Sequence, residues 1–473
     1  MASGGTWQTQ NKVRPGAYIN VVGVPKALSK VGERGVVAVA MPLKWGGLVT
    51  EITANELITG AGFLTLGVQY TDGNYTPSVS PSTVECAPGF DLRLILQYAQ
   101  KAIVYRTNYT NAVQAALAIV ADTPQDDIFS SVKAKYPGTF GNRIKFTIEY
   151  AQSQYVLKTY VDDVISGTTK AATLAELTGD SLITIVYKDA AVYDAALATP
   201  MALTNGTDGT ALDTGWLAAA LKEFNTRAWN VFVTETDEAT DKSAIKAAID
   251  DLRDNNGVKV QAVIYNGTVD AEGIINIASG VSYVLSDGTI VRPTQSVFAI
   301  AGMTAGASIT ESNTGAVVED AIDLNGNSYP MTNDEIIAAL NAGKIVLSRR
   351  GDGAIVVEKD INSFHTFTPT KGYVFSKNRP LRVLDGACND IKLLFNKSYL
   401  GKVSNNDEGR TVFKADIISY MDNLQKIGAI QNFDAQADID VQPGDDIDSL
   451  VVALWIQPVD SMEKLYMTIN VRG

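Results

Sequence analysis

The stretch GWLAAALKEFNTRAWNVFVTETDEATDKSAIKAAIDDLRDNNGVKVQAVIY, residues 215–265, alternates between two hydrophobic periods. Trp216, Leu217, Ala220, Leu221 and Phe224 recur at helical spacing and form one apolar stripe, and Trp229–Thr234 then reads as a strand. Ala244, Ile245, Ala248, Ile249 and Leu252 form a second stripe, Gly257 stands at a C′ position that ends it, and Val258–Tyr265 is the next strand. Helix and strand alternating at this spacing build a parallel sheet with helices laid on its faces, so the fold class is α/β. A weaker third repetition runs from Ile274 through Val281–Leu285 to Phe298–Ala307.

Toward the N-terminus the same logic predicts an apolar strand, Val36 to Ala40, and a helix from Asp91 to Gln100. Asp91 is its expected cap, and Leu92, Ile95, Leu96 and Tyr98 or Ala99 face inward. Between them and the opening stretch, Ile103–Tyr105, Ile144–Tyr150, Tyr155–Val161 and Leu182–Tyr187 alternate with Gly, Pro, Asp and Thr turns, and read as a separate β-rich segment ending near 205–209. The first 35 residues form a basic arm, with Lys12, Arg14, Lys26, Lys30 and Arg34 against the single acid Glu33. Within it a β-prone run, Ala17-Tyr18-Ile19-Asn20-Val21-Val22, is bracketed by Pro15-Gly16 and Gly23-Val24-Pro25. It reads either as the first strand of the nearest domain or as an extended arm that pairs with another subunit.

Toward the C-terminus, Lys344–Ser348 and Ala354–Glu358 flank Arg349-Arg350-Gly351-Asp352-Gly353 and predict a hairpin, because Asp-Gly supplies positive-φ turn residues. Two helices follow, about Asn389 to Asn396 and Thr411 to Ile427; the second has Phe413, Ile417, Tyr420, Met421 and Leu424 on one face and Gly428 as its stop. Asp434 to Asp448 then holds six aspartates and no base, and two β-prone runs close the chain, Leu450–Ile456 and Lys464–Val471.

Composition narrows the function. The chain has 473 residues, 39 Lys and Arg against 52 Asp and Glu, a net charge of −13 and 46% hydrophobic residues. That length exceeds one ordinary core, and the apolar content excludes wholesale disorder. Its acidity argues against a nucleic-acid binder, which needs clustered Lys and Arg. Cys86 and Cys388 lie far apart and outside any CxxC spacing, so neither a disulfide framework nor a structural zinc site is expected. The N-terminus shows no apolar leader, and no stretch approaches the roughly 18 apolar residues that cross a bilayer; a cytoplasmic chain without membrane contact is the expectation.

No constellation of catalytic residues is encoded. The only histidine, His365, sits in the alternating Ser363-Phe364-His365-Thr366-Phe367, which predicts a strand position without partners. Ala342-Gly343-Lys344 lacks the upstream glycine of a phosphate loop, and Asp323-Leu324-Asn325-Gly326-Asn327 lacks the glycine and distal Glu of an EF-hand. The adjacent carboxylates Asp126-Asp127, Asp162-Asp163 and Asp445-Asp446 fall in loop-like contexts and point apart into water. Catalytic, cofactor and metal sites are therefore all expected to be absent.

Several segments go further than composition. Gly4-Gly5-Thr6-Trp7, Asn11-Lys12-Val13-Arg14-Pro15-Gly16-Ala17-Tyr18-Ile19 and Gly32-Glu33-Arg34-Gly35-Val36-Val37-Ala38 resemble the N-terminus of contractile phage tail sheath proteins, of the type found in Gram-positive phages, defective prophages and phage-tail-like bacteriocins. Ala134-Lys135-Tyr136-Pro137-Gly138 with Gly141-Asn142-Arg143-Ile144 is similar to that family's strand-turn-strand signature. Thr204-Asn205-Gly206-Thr207-Asp208-Gly209 resembles its Gly-Gly-Thr-Asp-Gly, with Asn205 in the first glycine's place. The most specific likeness is C-terminal: Arg379-Pro380-Leu381-Arg382-Val383-Leu384, Tyr399-Leu400-Gly401-Lys402-Val403, and Ile456-Gln457-Pro458-Val459-Asp460-Ser461-Met462-Glu463-Lys464-Leu465-Tyr466. It is weakest over 152–202.

The resemblance implies an N-terminal arm (1–34), an α/β middle domain (35–100 and 206–343), an inserted β-rich outer domain (101–205) and a C-terminal α+β inner domain (344–473) ending in an arm strand (464–473). It implies a non-enzymatic subunit that stacks in hexameric rings around a tail tube and contracts to drive the tube through a host envelope. Its partners would be itself, the tail tube protein, and baseplate and tail terminator proteins, in a virion or phage-tail-like particle assembled in the host cytoplasm. Ala17, Tyr18, Ile19, Val21 and Val22, with Leu465, Tyr466, Met467, Thr468 and Ile469, become strands donated to neighbouring subunits. Lys12, Arg14 and Lys26 of the basic arm would meet the acidic 434–448 segment of another subunit, and Lys392, Lys397 and Lys402 would face the tube. The rival readings are a cytoplasmic α/β enzyme or ligand-binding protein, disfavoured by the missing glycine fingerprint, and a surface-layer protein or adhesin, disfavoured by the missing export signal.

Overall fold

The computed structural model describes residues 4–5, 17–18, 34–58, 88–210, 215–325 and 331–472. They divide into two compact units, one within Glu33–Gly386 together with Asp460–Gly473, the other containing Ala387–Val459.

The first unit is built on a seven-stranded sheet. Its strands run, in spatial order, Lys344–Ile345, Ile274–Ile277, Gln261–Tyr265, Val231–Val233, Val36–Met41, Lys101–Arg106 and Val49–Thr53. All neighbours are parallel except the last pair, which is antiparallel. Successive side chains point to opposite faces, and both faces are covered. Val37, Val39, Val231, Val233, Val263 and Ile275 enter one core, while Val36, Ala38, Phe232, Ala262, Ile264 and Ile274 enter the other. The helices Trp216–Phe224 and Ala239–Asp254 cover the second face with Leu217, Ala220, Phe224, Ile245, Ile249 and Leu252, six of the ten side chains assigned to the two stripes.

The first face is covered by Pro88–Leu96 and Ser296–Gly306. Every residue from Ser296 to Ala305 is buried. Gly302 and Gly306 make this possible: a Cβ on them would lie 2.4 Å from the Ile95 carbonyl oxygen and 2.1 Å from that of Tyr98, so only glycine lets the two segments approach this closely. The first of these helices begins earlier than its sequence suggests. Asp91 is not its cap but lies inside the first turn, buried, accepting a hydrogen bond from Gln295 Nε2 at 2.9 Å. Burial, helped by the nearby Glu235 charge, pushes this carboxyl up to about 8 against the opposing pull of Gln295 and Arg292.

Residues 116–204 form a second seven-stranded sheet in the order Val164–Ala171, Gln154–Val161, Ile144–Ala151, Met201–Thr204, Ala116–Leu117, Phe129–Ala134, Ile183–Tyr187. The run Ile103–Tyr105, expected to open this β-rich segment, lies instead inside Lys101–Arg106 of the central sheet, because residues 102–106 are all buried there between two neighbours. Two residues from the edge of that sheet reach into the β-rich segment. Trp45 is fully buried against Tyr136 and Phe140, with ring centroids 5.4 and 5.0 Å away. Arg106, also fully buried, donates to the carbonyl oxygens of Gly46 (3.2 Å) and Pro137 (2.7 Å).

The middle motifs of the resemblance meet beside this arginine. The Asn142 carboxamide exchanges two hydrogen bonds with the backbone of Gly206, at 2.8 and 2.7 Å, and the Asp208 carboxylate accepts from Thr139 N and Oγ1, both at 2.8 Å. Asn205 takes φ 64°, the left-handed conformation that asparagine tolerates best after glycine.

Downstream, Leu347–Arg349 and Ile355–Val357 form the expected hairpin, while Lys344–Ile345 joins the central sheet instead. His365 is in no strand; its Nδ1 lies 2.7 Å from the Ser363 carbonyl oxygen, a local turn contact. In the second unit, the predicted face Phe413, Ile417, Tyr420, Met421 and Leu424 is buried in the helix Asp407–Lys426, with Gly428 at φ 75° just beyond its end. Asn406 caps that helix, its Oδ1 accepting from Gly409 N at 2.8 Å. The other predicted helix is longer than the sequence showed, Asn378–Leu394, because Pro380 falls in its first turn, where proline is tolerated.

Candidate assembly surfaces

The sequence-predicted residues that are described fall in the C-terminal segment, the first arm strand and the second unit. Leu465, Tyr466, Met467, Thr468 and Ile469 belong to a segment, 464–472, that forms no strand. Its apolar side chains are strongly exposed: Leu465 84%, Tyr466 88%, Ile469 75% and Val471 90%. The run predicted as a strand therefore stands ready without a ladder, since backbone groups of a β-strand need a partner edge to pair with.

The stretch just before it is held tightly. Lys377, which precedes the helix Asn378–Leu394, is 1% exposed, and its ammonium donates to the Glu463 carboxylate and lies 3.5 Å from that of Asp460. Glu463 also accepts from Thr314 Oγ1 at 2.7 Å and from Ser461 Oγ at 3.3 Å. Thr314 Oγ1 in turn accepts from Asp360 N at 2.9 Å, and the Asp360 carboxylate accepts from Asn313 N (2.9 Å) and Asn378 Nδ2 (2.8 Å). Arg382 stands 3.8 Å from the same carboxylate and donates to the Glu311 carbonyl oxygen at 2.8 Å. Burial acts to raise the Glu463 carboxyl, but hydrogen bonds from Lys377 and Thr314 and the Lys377 charge outweigh it and hold the group below the usual carboxylate range. Two of the C-terminal motifs, around Arg382 and around Asp460, thus share one polar cluster gathered on the buried Lys377 and Asp360. The sequence reading missed Lys377 and Glu463 in this role; the available signal was a base two residues before the Arg379 motif and an acid inside the last one.

Of the N-terminal arm, Gly4–Gly5, Ala17–Tyr18 and Arg34 are described; the two short runs pair in parallel, with Gly4 opposite Ala17 and Gly5 opposite Tyr18. Ile19, Val21, Val22, Lys12, Arg14 and Lys26 lie outside the described residues.

The second unit carries the remaining candidates. Ile439–Pro443 and Leu450–Leu454 form a two-stranded antiparallel ladder with no third strand among the described residues. Asp440, Asp445, Asp446 and Asp448 lie on it or on its connecting loop, all exposed. Lys392, Lys397 and Lys402 are exposed within one short span, and Lys402 Nζ donates to the Lys397 carbonyl oxygen at 2.5 Å.

The described residues contain no group of three or more His, Cys, Asp or Glu able to hold a metal ion. The neighbouring carboxylates Asp162 and Asp163 go to separate bases, Arg143 and Lys145, and Asp126 pairs with Lys188. No helix among these residues is long and apolar enough to cross a membrane.

Comparison with known proteins adds the following. Residues 210–363 match the family model of the phage tail sheath protein central domain, and 370–472 that of the phage tail sheath C-terminal domain. The phage-like element PBSX protein XkdK of Bacillus subtilis is 31% identical over 99% of this chain and 100% of its own length. The crystal structure of a sheath tail protein from Desulfitobacterium hafniense is 31% identical and superposes with a TM-score of 0.73, covering 96% of this chain and 99% of that one. At the level of fold alone, the helical sheath of the anti-feeding prophage in its contracted state matches with a TM-score of 0.55 at 14% identity, covering 97% and 99%.

Proposed function

Because this chain belongs to the phage tail sheath family, we propose that it is the structural subunit of a contractile sheath, a non-enzymatic part of a virion or phage-tail-like particle. Copies stack as hexameric rings around a tail tube and contract to drive the tube through a host envelope, between a baseplate and a terminator, after assembly in the host cytoplasm. The observation that carries the reading is the exposed apolar segment 464–472, which joins no strand ladder among the described residues.

The physics is strand addition. Leu465–Ile469 of one subunit and Ala17–Val22 of another extend the two-stranded ladder Ile439–Pro443 and Leu450–Leu454 of a third. Covering an exposed Leu, Ile, Val or Met stabilises by roughly 1.5–3 kcal/mol, and ordering each backbone residue costs about 1–2 kcal/mol. A single arm is therefore weak, and stability comes from many arms engaged at once. Main-chain ladders survive rigid-body rotation of subunits when the linkers bend instead, as contraction requires.

Charge sets the approach. Lys12, Arg14 and Lys26 steer the arm toward the acidic 434–448 segment of a neighbour, an effect that added salt weakens. Lys392, Lys397 and Lys402 meet an acidic tube surface through exposed contacts of about 1 kcal/mol or less each, weak enough to release on contraction.

Negative-stain microscopy of the purified chain tests the reading. Full-length protein is expected to form tubes, and protein truncated after Glu463 to remain dispersed; tubes from the truncated chain would sink the strand-addition model.

A further inference from the structure

We propose that the buried Lys377–Glu463 pair is a root clasp for the C-terminal segment, holding 460–463 on the α/β unit so that 464–472 leaves from a fixed point. Its consequence for assembly rests on the sheath reading above; the clasp itself does not.

Three observations carry it. The anchoring is confined to one side chain: the Glu463 carboxylate is held by Lys377, Thr314 and Ser461, while Met462 beside it and Leu465, two residues on, are 103% and 84% exposed. The clasp is also charged, and its lysine is buried. An ammonium as inaccessible as that of Lys377 is strongly unfavourable without a counter-charge, so its two carboxylate partners, Asp460 and Glu463, are required to stay in place. Their spacing brings both to one nitrogen. Finally, the receiving side is preorganised. Thr314, Asp360, Asn378 and Arg382 are hydrogen-bonded or charge-paired to one another within the α/β unit, so Glu463 meets a rigid socket.

The chemistry suits a moving lattice. An apolar plug would expose greasy surface when pulled, whereas a carboxylate leaving an ammonium can be replaced by water. The clasp therefore fixes the start of the arm without committing the arm's own apolar side chains, which remain for a neighbouring copy.

A glutamate-specific endoprotease reads the clasp directly, because cleavage after Glu463 needs that carboxylate in the protease's own pocket. On the full chain, release of the peptide 464–473 is expected to be slow, and about tenfold or more faster in Lys377→Met. Tryptic cleavage after the exposed Lys464 is expected to stay within about twofold between the two proteins. Equal Glu463 cleavage in both overturns the clasp. The reversed pair, Lys377→Glu with Glu463→Lys, is expected to restore slow hydrogen exchange at the amides of 461–464, and should Lys377→Met fail to fold, Glu463→Gln carries the same exchange test with about tenfold faster exchange. In negative stain, Lys377→Met is expected to form tubes at several-fold lower yield than the unsubstituted chain. Fast cleavage with undiminished tubes overturns the clasp's role in assembly, whereas absence of tubes from the unsubstituted chain overturns the sheath reading and leaves the protease result to judge the clasp.

Discussion

The strand Val36–Met41, VVAVAM, and the segment Leu465–Val471, LYMTINV, are alike in β-prone composition and opposite in fate. In the first, no side chain is more than 4% exposed; in the second, Leu465, Tyr466, Met467, Ile469 and Val471 all exceed 65%. Propensity does not separate them. Val36–Met41 has a parallel partner on each side and helices on both faces, and among the described residues Leu465–Val471 has no ladder partner. A strand is made by its neighbours, so the same kind of sequence is core where they are supplied and stays open where they are not.

The largest break of that contrast targets the interior. Gly302→Leu places side-chain atoms where the Ile95 carbonyl oxygen now lies, and is expected to lower unfolding free energy by more than about 3 kcal/mol, seen as a lower denaturant midpoint. A midpoint close to that of the unsubstituted chain would mean that this helix contact is not part of the cooperative core.

A smaller effect, of opposite sign, sits at Asp91. Its carboxyl is pushed up to about 8 in the folded chain, so between the ordinary value and about 8 the unfolded chain is ionised and the folded one is not. Stability then falls as pH rises through that window. Asp91→Asn keeps an acceptor for Gln295 and removes the titration. It is expected to raise stability by a few kcal/mol at pH 8 and to leave it nearly unchanged at pH 4, as read by thermal melts across pH. Parallel pH profiles for the two proteins would contradict this.

The smallest expected change sharpens the comparison from the other side. Leu465→Ser with Ile469→Ser removes two exposed apolar side chains and is expected to shift the unfolding free energy of the dispersed chain by no more than about 0.5 kcal/mol, while reducing tube formation. A loss of several kcal/mol would show that the segment packs on its own subunit after all.

Much of the fold was legible in the residues. The stripes of the helices Trp216–Phe224 and Ala239–Asp254, the Gly353 hairpin and the buried face of Asp407–Lys426 follow from periodicity, because helix and strand faces repeat locally. What escaped was non-local. Asp91 reads as a cap until Gln295, two hundred residues away, is seen to take its carboxylate. Lys101–Arg106 reads as part of the β-rich segment until its partners Val36–Met41 and Val49–Thr53 place it in the central sheet. The assembly residues divide in the same way. The apolar run at 465–471 was visible in the sequence, while the Lys377–Glu463 pair, 86 residues apart, was not.

By itself the sequence determined the α/β class and the family, since these rest on local period, motif and residue type. Only the tertiary structure decided which β-prone runs are core and which stay open, and where the C-terminal segment is tied down. Ladder partners, burial and a buried counter-charge are properties of residues brought together from distant parts of the chain, and no local pattern encodes them.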